Sequence, residues 1–342
     1  MLLKVEELEK ELKQGNLQCL YLLYGEEIFL LETCLKKIRK QFGVLQKGIN
    51  DIRIEAENIE RLISDLQTPA FGFEKKLIIA RNTGLFRKEG KKKTVGSNTK
   101  MAEKITQYIK ENVDSLKQSV VLIFIEEEAE KNELYQVIEK NGIVCNFEYL
   151  KPMQIIARLK AISNAYQVQI EERLLQYLIE CVGSNMQDLM NELRKLIEYA
   201  GSGGVIQKED IDALCIKKMD SVIFELTDNL GKRNIQKALQ VLHNLLYAKE
   251  PIQKITITLY NHFKKLYFTK LAEKTKEPLV SVLNLKPNQT FLVTKYKQQA
   301  SYFSEEKLRK ILAEMIDLDE NSKNGNIDMQ IGLEAILCEY CS

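Results

Sequence analysis

The sequence has no tryptophan, only five prolines and only two histidines among its 342 residues. Few prolines and many Leu, Ile, Lys and Glu residues favour a helix-rich chain, because proline is the residue that most disrupts a helix interior. No apolar run reaches the roughly 18 residues of a membrane span, and the first 15 residues are amphipathic and charged rather than signal-like. We therefore expect no membrane span and no secretory signal peptide.

The charge balance and the cysteines exclude few classes of protein. Fifty Lys and Arg residues against 48 Asp and Glu residues give a net charge of +2, which neither indicates a nucleic-acid binder nor excludes a local basic patch. The cysteines lie mostly inside apolar runs, as is typical of a reduced cytoplasmic protein. The C-terminal pair Cys338 and Cys341 has no second Cys or His pair nearby, so no zinc site is predicted.

Residues 1–150 alternate strand-like and helix-like segments. Continuous apolar runs at 19–24, 77–80 and 120–125, with a weaker one at 52–54, predict buried strands of a mostly parallel sheet covered by helices. Helical spacing marks Ile28, Leu31, Leu35 and Ile38, and a second helix ends near Pro69. The polar, Lys-rich segment 87–100 is predicted to be a flexible surface loop.

From residue 151 onward the pattern is helical, which predicts two all-α domains after the α/β domain. Residues 151–216 contain three amphipathic stripes and a short fourth helix, with Gly183 ending one helix and Ser184 capping the next. Residues 217–342 are helical throughout and show no internal repeat.

The catalytic patterns that such a domain could carry are missing. A phosphate-binding loop needs G-x-x-x-x-G-K-[ST] after the first strong strand, but that strand runs into Gly25, Glu26 and Glu27, with no Lys or hydroxyl in place. The acidic run 126–128 imitates a Walker-B acid but is interpreted as a solvated strand end. His243 is interpreted as a partly buried structural residue. We expect no cofactor, no bound metal and no intrinsic catalysis.

One segment suggests binding instead. Phe71 and Phe73 flank Gly72 in a stretch that Pro69 brings out of regular structure, between a helix and a strand. Two interpretations stay open from the pattern alone, namely packing of both rings onto the sheet and exposure of the rings to a partner.

Five sequence motifs, in this order along the chain, resemble those of the delta subunit of bacterial DNA polymerase III clamp loaders. The resemblance covers essentially the whole chain. The motifs include Y-L-L-x-G-E-E-x-F-L at 21–30, the Phe-containing segment followed by Lys75, Lys76 and Leu77, and D-L-x-x-E-L-x-K-L in the third stripe. The motifs lie at residues 21–30, 68–77, 188–196, 224–246 and 317–334.

The resemblance implies an AAA+-like α/β domain (1–150), a small helical lid (151–216) and a helical collar (217–342). It implies a non-hydrolysing replication subunit of a cytoplasmic hetero-oligomer, together with the tau/gamma ATPase subunits and delta-prime. Its partner would be the sliding clamp (beta subunit), with an indirect contact to primer–template DNA through the loader; whether the chain also touches DNA directly is left open by the sequence. The matching clamp-binding residue is Phe71, with Ala70, Gly72 and Phe73 beside it; the family typically has two adjacent bulky residues here.

Two alternatives remain at this point. A degenerate AAA+ ATPase would bind ATP at a displaced site. The paralogous delta-prime stator subunit typically carries a zinc-binding cysteine cluster in its first domain, and Cys19, Cys34 and Cys145 do not have that spacing.

Overall fold

The computed structural model describes residues 1–87 and 95–341. The chain forms two compact units, residues 1–149 and 150–342. The domain bounds expected from the sequence, 1–150, 151–216 and 217–342, stay predictions. The predicted division of the second unit near residue 216 falls between two of its helices.

The first unit is an α/β layer structure. In the described part of the chain, its strands form one sheet in the order β1-β6-β2-β5-β4-β3, with every neighbouring pair parallel. The strands are β1 (Leu2–Leu3), β2 (Leu20–Tyr24), β3 (Asp51–Ile54), β4 (Lys76–Arg81), β5 (Val120–Glu126) and β6 (Ile143–Asn146). The helices are α1 (Val5–Lys13), α2 (Ile28–Phe42), α3 (Leu62–Gln67), α4 (Val95–Ser119) and α5 (Glu133–Asn141), with a 3-10 helix at Ala56–Arg61.

The sequences of the central strands are continuous apolar runs, and these strands are buried. All of β5 and the first four residues of β2 are buried. Aliphatic and aromatic side chains from β2, β4 and β5 share a core with α3, α4 and α5, including Leu22, Ile78, Phe124 and Ile109. The four strands expected from the sequence are confirmed to within a residue or two at each end.

Several local expectations for this unit and the next were wrong. Ile28 is 62% exposed, because it is the first residue of α2; the buried face is formed by Leu31, Leu35 and neighbours. Residues 95–100 of the expected loop begin α4, while residues 88–94 lie outside the described residues. Asn185, rather than Ser184, caps the helix that follows it, since its side chain accepts from the Asp188 N–H at 3.1 Å.

The second unit is helical. Its first helices are α6 (Pro152–Ala165), α7 (Glu172–Val182), α8 (Met186–Ala200) and α9 (Lys208–Leu214). They are followed by α10 (Met219–Gly231), α11 (Ile235–Tyr247), α12 (Ile252–Thr275), α13 (Leu279–Val282), α14 (Leu292–Ser301), α15 (Glu305–Lys323) and α16 (Met329–Cys341), with a 3-10 helix at Pro287–Gln289. Helices α10–α16 bury a core of their own, from Ile223 to Tyr340. Among the described residues, no helix is both long and apolar enough to cross a membrane.

Candidate functional site

The segment between α3 and β4 forms a tight turn. Pro69 disfavours helical geometry at Thr68, which is extended at φ −72° and ψ 142° and ends α3. The Phe73 N–H then donates to the Ala70 carbonyl oxygen at 3.1 Å. Both central residues have positive φ, 28° at Phe71 and 87° at Gly72, the signs of a type I′ turn. Such a turn places a side chain at its tip.

Phe71 occupies that tip and is 71% exposed. The structure therefore excludes the interpretation in which this ring packs onto the sheet. Gly72 is exposed, Phe73 is half-buried and Ala70 is buried. Of the four residues predicted for this site, Phe71 offers the largest apolar surface to a partner.

A second region of interest is the carboxyl end of β2, where a phosphate-binding loop would begin. The Gly25 N–H donates to the Glu126 carbonyl oxygen at 3.2 Å, and the Glu27 N–H donates to that of Phe147 at 2.8 Å. A Cβ atom at Gly25 would lie 2.5 Å from the Phe147 oxygen, so glycine is required for this close packing. These two N–H groups are directed to neighbouring backbone, and Glu27 is itself buried.

Glu126, at the end of β5, contradicts the expectation of a solvated strand end. The residue is 3% exposed, and its Oε1 accepts from the N–H of Thr83 at 2.8 Å and from its Oγ1 at 2.5 Å. Burial raises the pKa of the Glu126 carboxyl, while the hydrogen bonds oppose that shift. Glu126 thus ties the end of β5 to the residues after β4, whereas Glu127 and Glu128 are exposed.

The two histidines have different surroundings. His262 is buried in the core of α10–α16, where its Nε2 donates to Gln299 Oε1 at 2.8 Å; Gln299 Nε2 donates in turn to the Phe224 carbonyl oxygen at 2.7 Å. Burial lowers the pKa of His262 to about 4. His243 was expected to be partly buried but is exposed, with its Nε2 3.0 Å from Glu334 Oε1.

The cysteines and acidic residues do not assemble into a metal site in the part of the chain that the structure describes. Cys338 is exposed. Five other thiols are buried: Cys19, Cys34, Cys145, Cys181 and Cys215. Burial raises the pKa of Cys19, Cys145, Cys181 and Cys215.

Comparisons with known families agree with this geometry. A family model described as the DNA polymerase III delta subunit matches residues 21–148, and one for the C-terminal domain of that subunit matches residues 220–340. Together the two models span more than half of the chain. The chain belongs to the DNA polymerase III delta subunit family. The paralogous stator subunit is therefore no longer an alternative.

Individual relatives match over nearly the whole chain. The DNA polymerase III subunit delta of Bacillus subtilis (strain 168) is 26% identical over 338 residues, covering 96% of this chain and 95% of that protein. The probable delta subunit of Aquifex aeolicus (strain VF5) is 27% identical and covers 89% of this chain and 85% of that protein. The solved Bacillus subtilis DNA clamp loader delta protein has the same fold, with a TM-score of 0.76, 24% identity and coverage of 98% and 99%.

Proposed function

We propose that this delta-family chain binds and opens the sliding clamp through Phe71 and does not hydrolyse ATP itself. The observation that carries the proposal is the exposed ring of Phe71 at the tip of a two-residue turn. Phe73 and Gly72 would border the contact, with Ala70 supporting the turn from below. The proposed partners are the beta clamp, the tau/gamma ATPase subunits and delta-prime, within a cytoplasmic loader through which this chain would contact primer–template DNA indirectly.

The physical argument rests on what an exposed aromatic ring can supply to an interface. Burying a phenylalanine removes roughly 150–250 Å² of surface from water, and such anchors typically cost about 2 kcal/mol or more when cut to alanine. Opening a closed ring requires binding free energy that favours the open form over the closed one. A single aromatic anchor on a small turn can supply such a difference, since it need fit its pocket in only one clamp conformation.

The absence of ATP hydrolysis is supported by the turn after β2. A phosphate-binding loop needs free backbone N–H groups, and those of Gly25 and Glu27 bind the carbonyl oxygens of Glu126 and Phe147. The competing function is that of a degenerate AAA+ ATPase. Calorimetric titration with Mg-ATP should be flat for the isolated chain, and binding tighter than about 10 µM, roughly −7 kcal/mol, would establish the competing function.

Assembly into the loader is assigned to the helical region. The core of α10–α16 contains its own buried residues, from Ile223 to Tyr340, so this region has the packing expected of a separate collar. Contact with the ATPase subunits through the collar remains part of the proposal.

The test is equilibrium binding of the purified chain to the sliding clamp of the same organism. Phe71→Ala should weaken clamp binding at least tenfold, since the anchor is removed. The matched control is Tyr199→Ala, because Tyr199 is an aromatic residue of similar exposure, 66%, in α8. The control should bind as the wild type does. Unchanged clamp binding by Phe71→Ala would refute the assignment.

A further inference from the structure

Lys76 is a buried lysine that follows the turn carrying Phe71 and contacts the residues before it. It is the first residue of β4, and only 1% of its surface is exposed. Its ammonium donates to the carbonyl oxygens of Asp65 and Thr68 and, at 2.8 Å, to Thr68 Oγ1. An ammonium has three donors, so all of them are used within the protein. Burying such a group is costly unless it is fully hydrogen-bonded. Because the acceptors here match all three donors of an ammonium, this position requires a lysine.

The acceptors of Lys76 belong to the end of α3. The last carbonyl groups of a helix have no partners within the helix, and they carry partial negative charge. The Lys76 ammonium satisfies two carbonyl oxygens there. Burial lowers the pKa of Lys76, and the nearby carboxylate of Asp65 opposes that shift. The hydrogen bonds of the ammonium therefore connect Thr68, where the loop begins, to Lys76, which directly follows the loop.

Other contacts hold the same loop on both sides. Lys75 Nζ donates to the Lys117 carbonyl oxygen at 3.1 Å, near the end of α4. Ala70 is buried, and its carbonyl oxygen accepts the hydrogen bond that closes the turn. Phe71 nevertheless has a φ of 28°, in the left-handed region that bulky residues avoid. A bulky residue persists in such a conformation only where its surroundings hold it.

We propose that Lys76 is a positioning residue, whose ammonium fixes the ends of the 68–75 loop so that Phe71 is presented in its binding conformation before the partner arrives. This inference rests on the proposed function, in which Phe71 is the clamp anchor. A loop that is ordered in advance loses less conformational entropy on binding and so binds more tightly. Lys76 does not contact the clamp in this scheme and acts only through Phe71.

The test is a double-mutant cycle on the full chain, with binding to the sliding clamp as the readout. Lys76→Met keeps the length of the side chain and removes the charge and the donors. It should weaken clamp binding about tenfold in the wild-type background and by less than twofold in the Phe71→Ala background. A purely structural role would weaken binding equally in both backgrounds, and that result would overturn the proposal.

Amide hydrogen exchange supplies a readout that does not involve the clamp. In Lys76→Met, the Phe73 amide that closes the turn should exchange at least tenfold faster, while the amides of β5 exchange at the wild-type rate. If Lys76→Met does not fold, Thr68→Val replaces it in the cycle, since it removes one of the three acceptors. That variant should weaken binding two- to threefold, and only in the presence of Phe71.

The outcomes separate the two proposals. If Phe71→Ala binds the clamp as the wild type does, the proposed contact itself is wrong and the role of Lys76 in binding falls with it. If Phe71→Ala weakens binding but Lys76→Met does not, or if the Phe73 amide exchanges at the wild-type rate, the contact stands and the positioning role is overturned.

Discussion

The backbone conformation of Phe71 allows its contribution to folding to be separated from its contribution to binding. With φ at 28°, the residue lies in a region that costs a non-glycine residue about 1–2 kcal/mol. Glycine adopts this conformation freely, although it also loses more entropy on folding, by about 0.5–1 kcal/mol relative to alanine. Phe71→Gly should therefore be as stable as Phe71→Ala or more stable, by up to about 1.5 kcal/mol.

The ring itself contributes little to the fold. Since 71% of Phe71 is exposed, less than a third of a phenylalanine surface is buried, or about 60 Å² and about 1.5 kcal/mol at 25 cal/mol per Å². Loss of a core phenylalanine would instead cost about 3–5 kcal/mol. For a unit of this size, about 1 kcal/mol corresponds to roughly 2–4 °C in melting temperature.

The assay compares thermal unfolding and clamp binding for wild type, Phe71→Ala and Phe71→Gly. Phe71→Ala should melt within about 6 °C of the wild type and Phe71→Gly at or above the alanine variant. Both variants should lose clamp affinity about thirtyfold, the equivalent of roughly 2 kcal/mol. A glycine variant that melts several degrees below the alanine variant would refute the strained turn. A loss of more than 10 °C in either variant would show that Phe71 belongs to the core.

Three further predictions concern the rest of the chain. Burial lowers the pKa of His262 from 6.5 to about 4, so the free energy of unfolding should be highest above pH 6.5 and fall by about 3 kcal/mol towards pH 4. In urea unfolding, His262→Gln should lose this pH dependence, whereas His243→Gln should keep it. Glu126→Ala leaves the Thr83 donors unpaired and should cost about 1–3 kcal/mol in urea unfolding, whereas the exposed neighbour Glu127→Ala should change stability by less than about 0.5 kcal/mol. A chain ending at residue 216 should bind the clamp but fail to co-elute with the ATPase subunits in gel filtration, and co-elution would contradict the collar assignment.

The main strands were predictable because a strand that is buried on both faces has a continuous apolar run in its sequence. The runs that became β2, β4 and β5 are apolar over four residues or more. The strand β6 (Ile143–Asn146) went unrecognised because only three of its residues are apolar, and β1 has two residues in all. Such short strands are specified by pairing with neighbours rather than by their own pattern.

The site was only partly predictable. Pro69 and Gly72 signalled a turn, but the sequence alone left open whether Phe71 packed inward, since exposure depends on the φ that the turn imposes. In the sequence, Lys76 and Glu126 are indistinguishable from ordinary charged residues at strand ends. Their burial follows from three-dimensional contacts with Thr68 and Thr83, which no local spacing encodes.

The parallel sheet separates the proposed clamp contact from the carboxyl ends of β2 and β5, where a nucleotide would bind in an ATPase of this fold. The Phe71 turn enters β4 at its amino end, through Lys76, while Gly25 and Glu126 lie at the carboxyl ends of their strands. A strand of six residues spans roughly 20 Å, so the two regions lie at opposite ends of the strands. In parallel α/β sheets ligands bind at the carboxyl ends of the strands, so the proposed loss of nucleotide binding there would leave the Phe71 turn undisturbed. Under the proposed function, ATP would affect the clamp contact only through partner subunits, because the proposal gives this chain no nucleotide site of its own.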